Sequence, residues 1–202
     1  SRGLGDVYKR QRNALMNRRI DVDTKLSIFS TYIVGLMKKK QELNRVDSLF
    51  AEMLEQYPQE EPVHRLFGMY LSSRKDFSRA EEQYAIAADL APTNPENWLQ
   101  LIGLYLYQEK YAEVIRVGKR AIQYVPDQKD IYMYVAVASA QTKSYDEALS
   151  MLETGLNYVE ENDAGTKSFF YGQMGDVYHS AGDKEKSYDC LLYTSPSPRD
   201  TE

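Results

Sequence analysis

The side chains able to do chemistry in this chain are few and far apart. Two histidines, His64 and His179, are the natural candidates for a metal ligand or a general base, but no second His and no Cys stands at ligand spacing from either. Carboxylates come in neighbouring pairs, Glu60 with Glu61, Glu81 with Glu82 and Glu160 with Glu161. Residues adjacent on a helix point in different directions, so these pairs read as solvated surface and not as an acid and base sharing a substrate. The one thiol, Cys190, lies in a stretch set apart below. No nucleophile elbow, phosphate loop or dinucleotide fingerprint occurs. No catalytic, metal or cofactor site is expected, and the chain is expected not to be an enzyme; a catalytic domain elsewhere in a parent protein is left open.

Charge narrows the partners. The chain carries 25 basic and 30 acidic side chains, a net −5. Nucleic-acid binding relies on clustered Lys and Arg, and the single basic run, Lys38 to Lys40, suits a solvated helix end better, so no nucleic acid is expected. No apolar run reaches the roughly 18 residues of a membrane span. Compartment is not legible in the sequence.

The elements that must carry any site follow from a repeat. Pro58, Pro92 and Pro126 are spaced 34 residues apart, and aligning on them divides the middle of the chain into units 61–94, 95–128 and 129–162. The fourth position of these units holds His64, Trp98 and Tyr132, and the seventh holds Phe67, Leu101 and Val135. Phe77, Tyr111 and Tyr145 occupy the seventeenth. Small residues recur at the twentieth and twenty-seventh: Ala80 and Ala87, Val114 and Ala121, Ala148 and Gly155. This alternation predicts two antiparallel helices per unit, large residues of the first fitting beside small ones of the second, with proline closing the second helix. The turns "RKDF" and "TKSYD" place Asp76 and Asp146 as expected helix caps.

Flanking units are less regular. Residues 27–60 keep Phe50, Met53 and Pro58 in register but have Ser30 and Val34 at the fourth and eighth positions. A fifth unit, 168–189, has Tyr171, Met174, Gly175 and Tyr178 in register but is truncated, and five inserted residues, Asp163 to Lys167, predict a longer turn before it. Residues 12–26 read as the remnant of an upstream helix, over Arg12 to Arg19.

Period and pattern resemble the tetratricopeptide repeat, with its aromatic, Gly, Ala and Pro positions. The resemblance implies an all-α, right-handed solenoid of antiparallel helix pairs that serves as a protein-interaction scaffold. In that family, positions 2, 5, 9, 12 and 13 of each first helix line a concave groove. Carried over, they give Arg65, Met69, Ser72 and Ser73 in the second unit; Leu99, Gly103, Leu106 and Tyr107 in the third; Asp130, Met133, Val137, Ala140 and Gln141 in the fourth. The partner-binding set is thus Arg65, Met69, Leu99, Leu106, Tyr107, Met133, Val137 and Gln141. A groove apolar in its middle suits a peptide or a partner helix. Members that clamp the carboxylate of chaperone tails have Lys at position 5 and Asn at position 9; here Thr31, Arg65, Leu99 and Met133, then Gly35, Met69, Gly103 and Val137, stand there, so that ligand is not expected. The alternative role is an architectural or regulatory arm of a larger protein.

Both ends break the pattern. "SRGLGDVYKRQ" (1–11) and "CLLYTSPSPRD" (190–200) resemble translations of the two strands of one transposase-type sequencing adapter. Residues 1–11 and 190–202 are therefore expected to be adapter-derived, and the genuine part a bacterial, metagenomic fragment. Setting aside four basic and three acidic residues there leaves 21 against 27, a net −6.

Overall fold

A computed structural model describes residues 2–39 and 43–194. Lys40 of the basic run and the Ser-Pro stretch from residue 195 lie outside the described residues. Among the described residues there are eleven helices and no strand, the expected all-α helical repeat. None of the described helices is long and apolar enough to cross a membrane. The chain divides into two units, residues 1–91 and 92–202.

The first unit holds α1 (Arg2–Met16), α2 (Val22–Lys39), α3 (Leu43–Gln56), α4 (Glu61–Ser73) and α5 (Phe77–Leu90). α1 takes in residues 2–11 and ends at Met16, so Arg18 and Arg19 fall in the turn that follows and not in the helix. Asp21 then starts α2, five residues ahead of position 1 of its repeat: its carboxylate accepts from the Thr24 amide at 2.8 Å and the Thr24 hydroxyl at 2.7 Å. These bonds, the amide's first, hold the Asp21 carboxyl below its usual range. The core of this unit is aromatic. Phe50 lies 4.6 Å from Phe29 and 4.4 Å from Phe67, ring centre to ring centre, spacings that reward close packing beyond the area buried.

The second unit holds α6 (Pro95–Tyr107), α7 (Tyr111–Tyr124), α8 (Lys129–Gln141), α9 (Tyr145–Leu156), α10 (Ala164–Ala181) and α11 (Lys184–Leu192). Three-residue turns join the helices of each of the first two pairs, which makes them antiparallel neighbours. Pro95 opens α6 where its missing N–H is no loss, and the Asn94 side chain accepts from the Glu96 amide at 3.1 Å. The small positions do what the spacing predicts: Ala80, Ala87, Val114, Ala121 and Ala148 are fully buried, and Gly155 is buried beside the Phe170 ring. Each pair is thus held by close approach of its backbones.

The turns within pairs are built differently from expectation. Asp76 sits at the start of α5, but its carboxylate meets Arg79 at 3.3 Å and makes no capping bond; Asp146 lies inside the first turn of α9. The chain is turned by the end of the preceding helix instead. Lys75, Glu109 and Lys143, 34 residues apart, adopt left-handed φ of 63°, 56° and 61°. The next amide then reaches back to close the helix, Asp76 to the Leu71 carbonyl at 2.9 Å, Lys110 to Tyr105 at 2.9 Å and Ser144 to Ser139 at 2.8 Å. This is the Schellman closure, which satisfies carbonyls the helix end would otherwise orphan. Gly182, φ 89°, performs it between α10 and α11.

The insertion at 163–167 is taken up in part by helix. α10 begins at Ala164, four residues before position 1 of its repeat, because Asp163 caps it by accepting from the Thr166 amide at 3.0 Å. The turn before it, residues 157–163, is still longer than the four-residue turns ahead of α6 and α8.

Candidate functional site

In the first unit, Arg65 and Met69 lie one turn apart on α4. The Arg65 guanidinium is held by Glu61 at 2.9 Å, an i,i+4 pair, while Met69 is 46% exposed. Their neighbour Ser73 donates to the Tyr70 carbonyl at 2.6 Å and so turns its hydroxyl back onto the helix. What this stretch presents outward is a thioether and a guanidinium already engaged.

The second unit carries most of the predicted set. Leu99 and Leu106 are half-buried on α6, and Tyr107 at its end is 70% exposed. Between them Gly103 is exposed, and a Cβ built there would meet no atom within 4 Å. Gly35, at the same groove position of the unit 27–60, is equally open, whereas other helical glycines are packed: Gly68 faces the Tyr84 ring, Gly118 faces Val135, and Gly155 is wedged between Phe170 and Tyr132. Those have packing reasons; Gly103 has none within the chain.

On α8 the predicted residues separate. Gln141 is exposed and Val137 half-buried, but Met133 is 6% exposed and belongs to the core with Leu152, Phe170 and Met174. The correction has a simple cause: α10 lies over that turn of α8, so position 5 faces a neighbouring helix and not solvent.

Further along, residues of α8 and α10, with Tyr145 and Leu152 of α9, line a cleft of about 260 Å³. Its floor is apolar, from Ala136, Val137, Ala140, Leu152 and Val177 with the Tyr145 ring; its rim is polar, from Gln141, Gln173, Asp176 and Ser180. Ser180 donates to the Asp176 backbone carbonyl at 2.9 Å. The side chains of Gln141, Gln173 and Asp176 have no partner among the described residues. The α10 half of this cleft was not among the predicted residues. The same groove positions extended to the unit beginning at Ser168 would have given Phe169, Gly172, Asp176, His179 and Ser180. Phe169 is 58% exposed.

His64 is buried with Nε2 donating to the Pro58 carbonyl at 3.0 Å and Nδ1 facing Gln83 Oε1 at 2.8 Å, a packing role. Among the described residues no group of three His, Cys, Asp or Glu side chains could hold a metal ion.

Paired helices on a 34-residue period, with the fourth-position rings, small residues and prolines in register, define the tetratricopeptide fold. Solved structures share it. YrrB, "a TPR protein with an unusual peptide-binding site", superposes with a TM-score of 0.62 at 16% identity over 83% of each chain. BtubC from P. vanneervenii gives 0.65 at 18% identity over 96% of this chain and 92% of that one. MamA gives 0.63 at 15% identity over 82% and 90%. No protein-family model and no curated protein sequence matches the chain.

Proposed function

We propose that the chain is a protein-interaction scaffold whose first helices present an apolar binding face for a peptide or partner helix. The observation that carries this reading is α6: Leu99 and Leu106 flank a bare glycine, and Tyr107 stands 70% exposed beside them. Tyrosine offers a rigid apolar body with a polar tip, the kind of side chain that anchors interfaces. A mid-helix glycine costs roughly 1 kcal/mol relative to alanine, and no neighbour in the chain requires it there. Close approach of an external backbone supplies a requirement. The peptide-binding site named for YrrB, a protein of the same fold, agrees in kind.

The test is selection of a displayed library of random peptides on the full chain, followed by affinity measurement against Leu99→Glu and Tyr107→Ser. Enriched peptides that lose about tenfold or more in affinity on either change, with helical circular dichroism retained, support the reading. Peptides that bind both variants as well as the parent chain refute it.

A further inference from the structure

We infer that the cleft between α8 and α10 takes one lysine or arginine side chain of a bound peptide. This rests on the peptide-binding reading above and adds what the peptide must carry.

Size comes first. A cleft of about 260 Å³ falls below the roughly 300–1,000 Å³ of pockets that enclose a whole small-molecule ligand, but it suits a single extended side chain. Its chemistry is graded from floor to rim. Val137, Ala140, Leu152 and Val177 offer an apolar wall for a methylene stem, and the Asp176 carboxylate stands at the mouth with the Gln141 amide. Lys and Arg have that same gradation, a stem that packs on apolar surface and a charged head that stays at its edge. An aliphatic side chain would leave the rim unanswered. A carboxylate would meet Asp176 as a like charge.

Charge over the wider face points the same way. In this unit the groove positions of α6, α8 and α10 carry Glu96, Asp130 and Asp176 and no Lys or Arg. The Asp176 carboxylate has no ion pair among the described residues, so no internal cation has to be displaced. Glu96 is engaged, accepting from the Gln100 amide at 2.6 Å. Complementary charge across an interface gives specificity and on-rate more than raw affinity. The consequence is a preference for one basic residue beside an otherwise apolar segment.

The experiment is the same displayed random library, selected in parallel on the full chain and on Asp176→Lys and read by sequencing. Selection on the parent chain should enrich Lys or Arg at one peptide position, and Asp176→Lys should replace that preference by Asp or Glu. A synthetic peptide from the parent selection should lose about fivefold in affinity on Asp176→Asn, as expected for a solvent-exposed ion pair, and the loss should shrink in high salt. Peptides that lose affinity on Leu99→Glu but show no basic preference overturn this inference and leave the groove reading standing. A basic preference that survives Asp176→Lys also overturns it. No enrichment, or binding indifferent to every groove change, overturns both.

Discussion

The indole Nε1 of Trp98 donates to the carbonyl oxygen of Pro92 at 2.7 Å, bridging the start of one repeat to the end of the repeat before it. The bond recurs with the period and with different chemistry: the Tyr132 hydroxyl donates to the Pro126 carbonyl at 2.8 Å, and His64 Nε2 to that of Pro58 at 3.0 Å. In these three repeats the fourth position holds a ring with a polar tip, and three ring types make the same bond.

Two energies can be separated at Trp98, which is 1% exposed. Trp98→Phe keeps most of the ring and removes the donor, and should cost about 1–2 kcal/mol. Trp98→Ala also empties the space against Tyr124 and should cost about 3–5 kcal/mol. Urea denaturation checks both; no loss in Trp98→Phe would show that the hydrogen bond contributes nothing, and equal losses in the two variants would show that the ring's packing adds nothing to it.

Lys75, Glu109 and Lys143 hold a backbone conformation that costs an L side chain roughly 1–2 kcal/mol. Glycine there removes that strain while losing some chain entropy on folding, so each X→Gly change should stabilise by about 0.5–1 kcal/mol. The triple variant should show a summed rise in thermal midpoint. Gly182→Ala, at the equivalent turn, should move the midpoint down.

Much of this architecture was legible because it is local and periodic. Prolines, fourth-position rings and small residues report on contacts inside a repeat or to its immediate neighbour, and those contacts repeat with the sequence. The helix-closing turns were not legible, since Lys and Glu carry no signature of a left-handed φ and Asp76 and Asp146 offered a more familiar explanation. Met133 shows the other limit. Whether position 5 faces solvent depends on the helix laid over it, and here Phe170 and Met174 of α10 share a core with Met133. Asp176 was missed for a different reason: the groove positions were not extended into the irregular fifth unit, although its register was already visible.

Gly103 and Gly118 are both helical, and the same substitution should act on them in opposite directions. At Gly103 the added methyl meets nothing within 4 Å, so Gly103→Ala should stabilise by about 0.5–1 kcal/mol through helix propensity. At Gly118 it would collide with the Val135 side chain, and Gly118→Ala should cost about 1–3 kcal/mol by overpacking. The functional prediction separates from the structural one at Gly103: a more stable protein that binds selected peptides less well. A gain in stability with unchanged affinity would remove Gly103 from the binding face.

Tyr132 gives a prediction in pH. Burial first, and then its hydrogen bond with Tyr158, push its hydroxyl pKa up to about 12 from an ordinary value near 10. The ring is 4% exposed and its hydroxyl is committed to the Pro126 carbonyl, so the neutral form is the one the fold favours. A folded pKa above the unfolded one means a stabilising contribution that is complete below pH 10. It is lost as pH climbs from about 10 toward 12, because the unfolded chain releases the proton first. Ultraviolet titration should show a tyrosine that ionises later than the exposed ones, and that late step should vanish in Tyr132→Phe. The variant should be less stable than the parent at neutral pH, having lost the hydrogen bond, and the gap should narrow above pH 10. A gap constant across that range would mean the hydroxyl ionises in the folded protein as easily as in the unfolded chain.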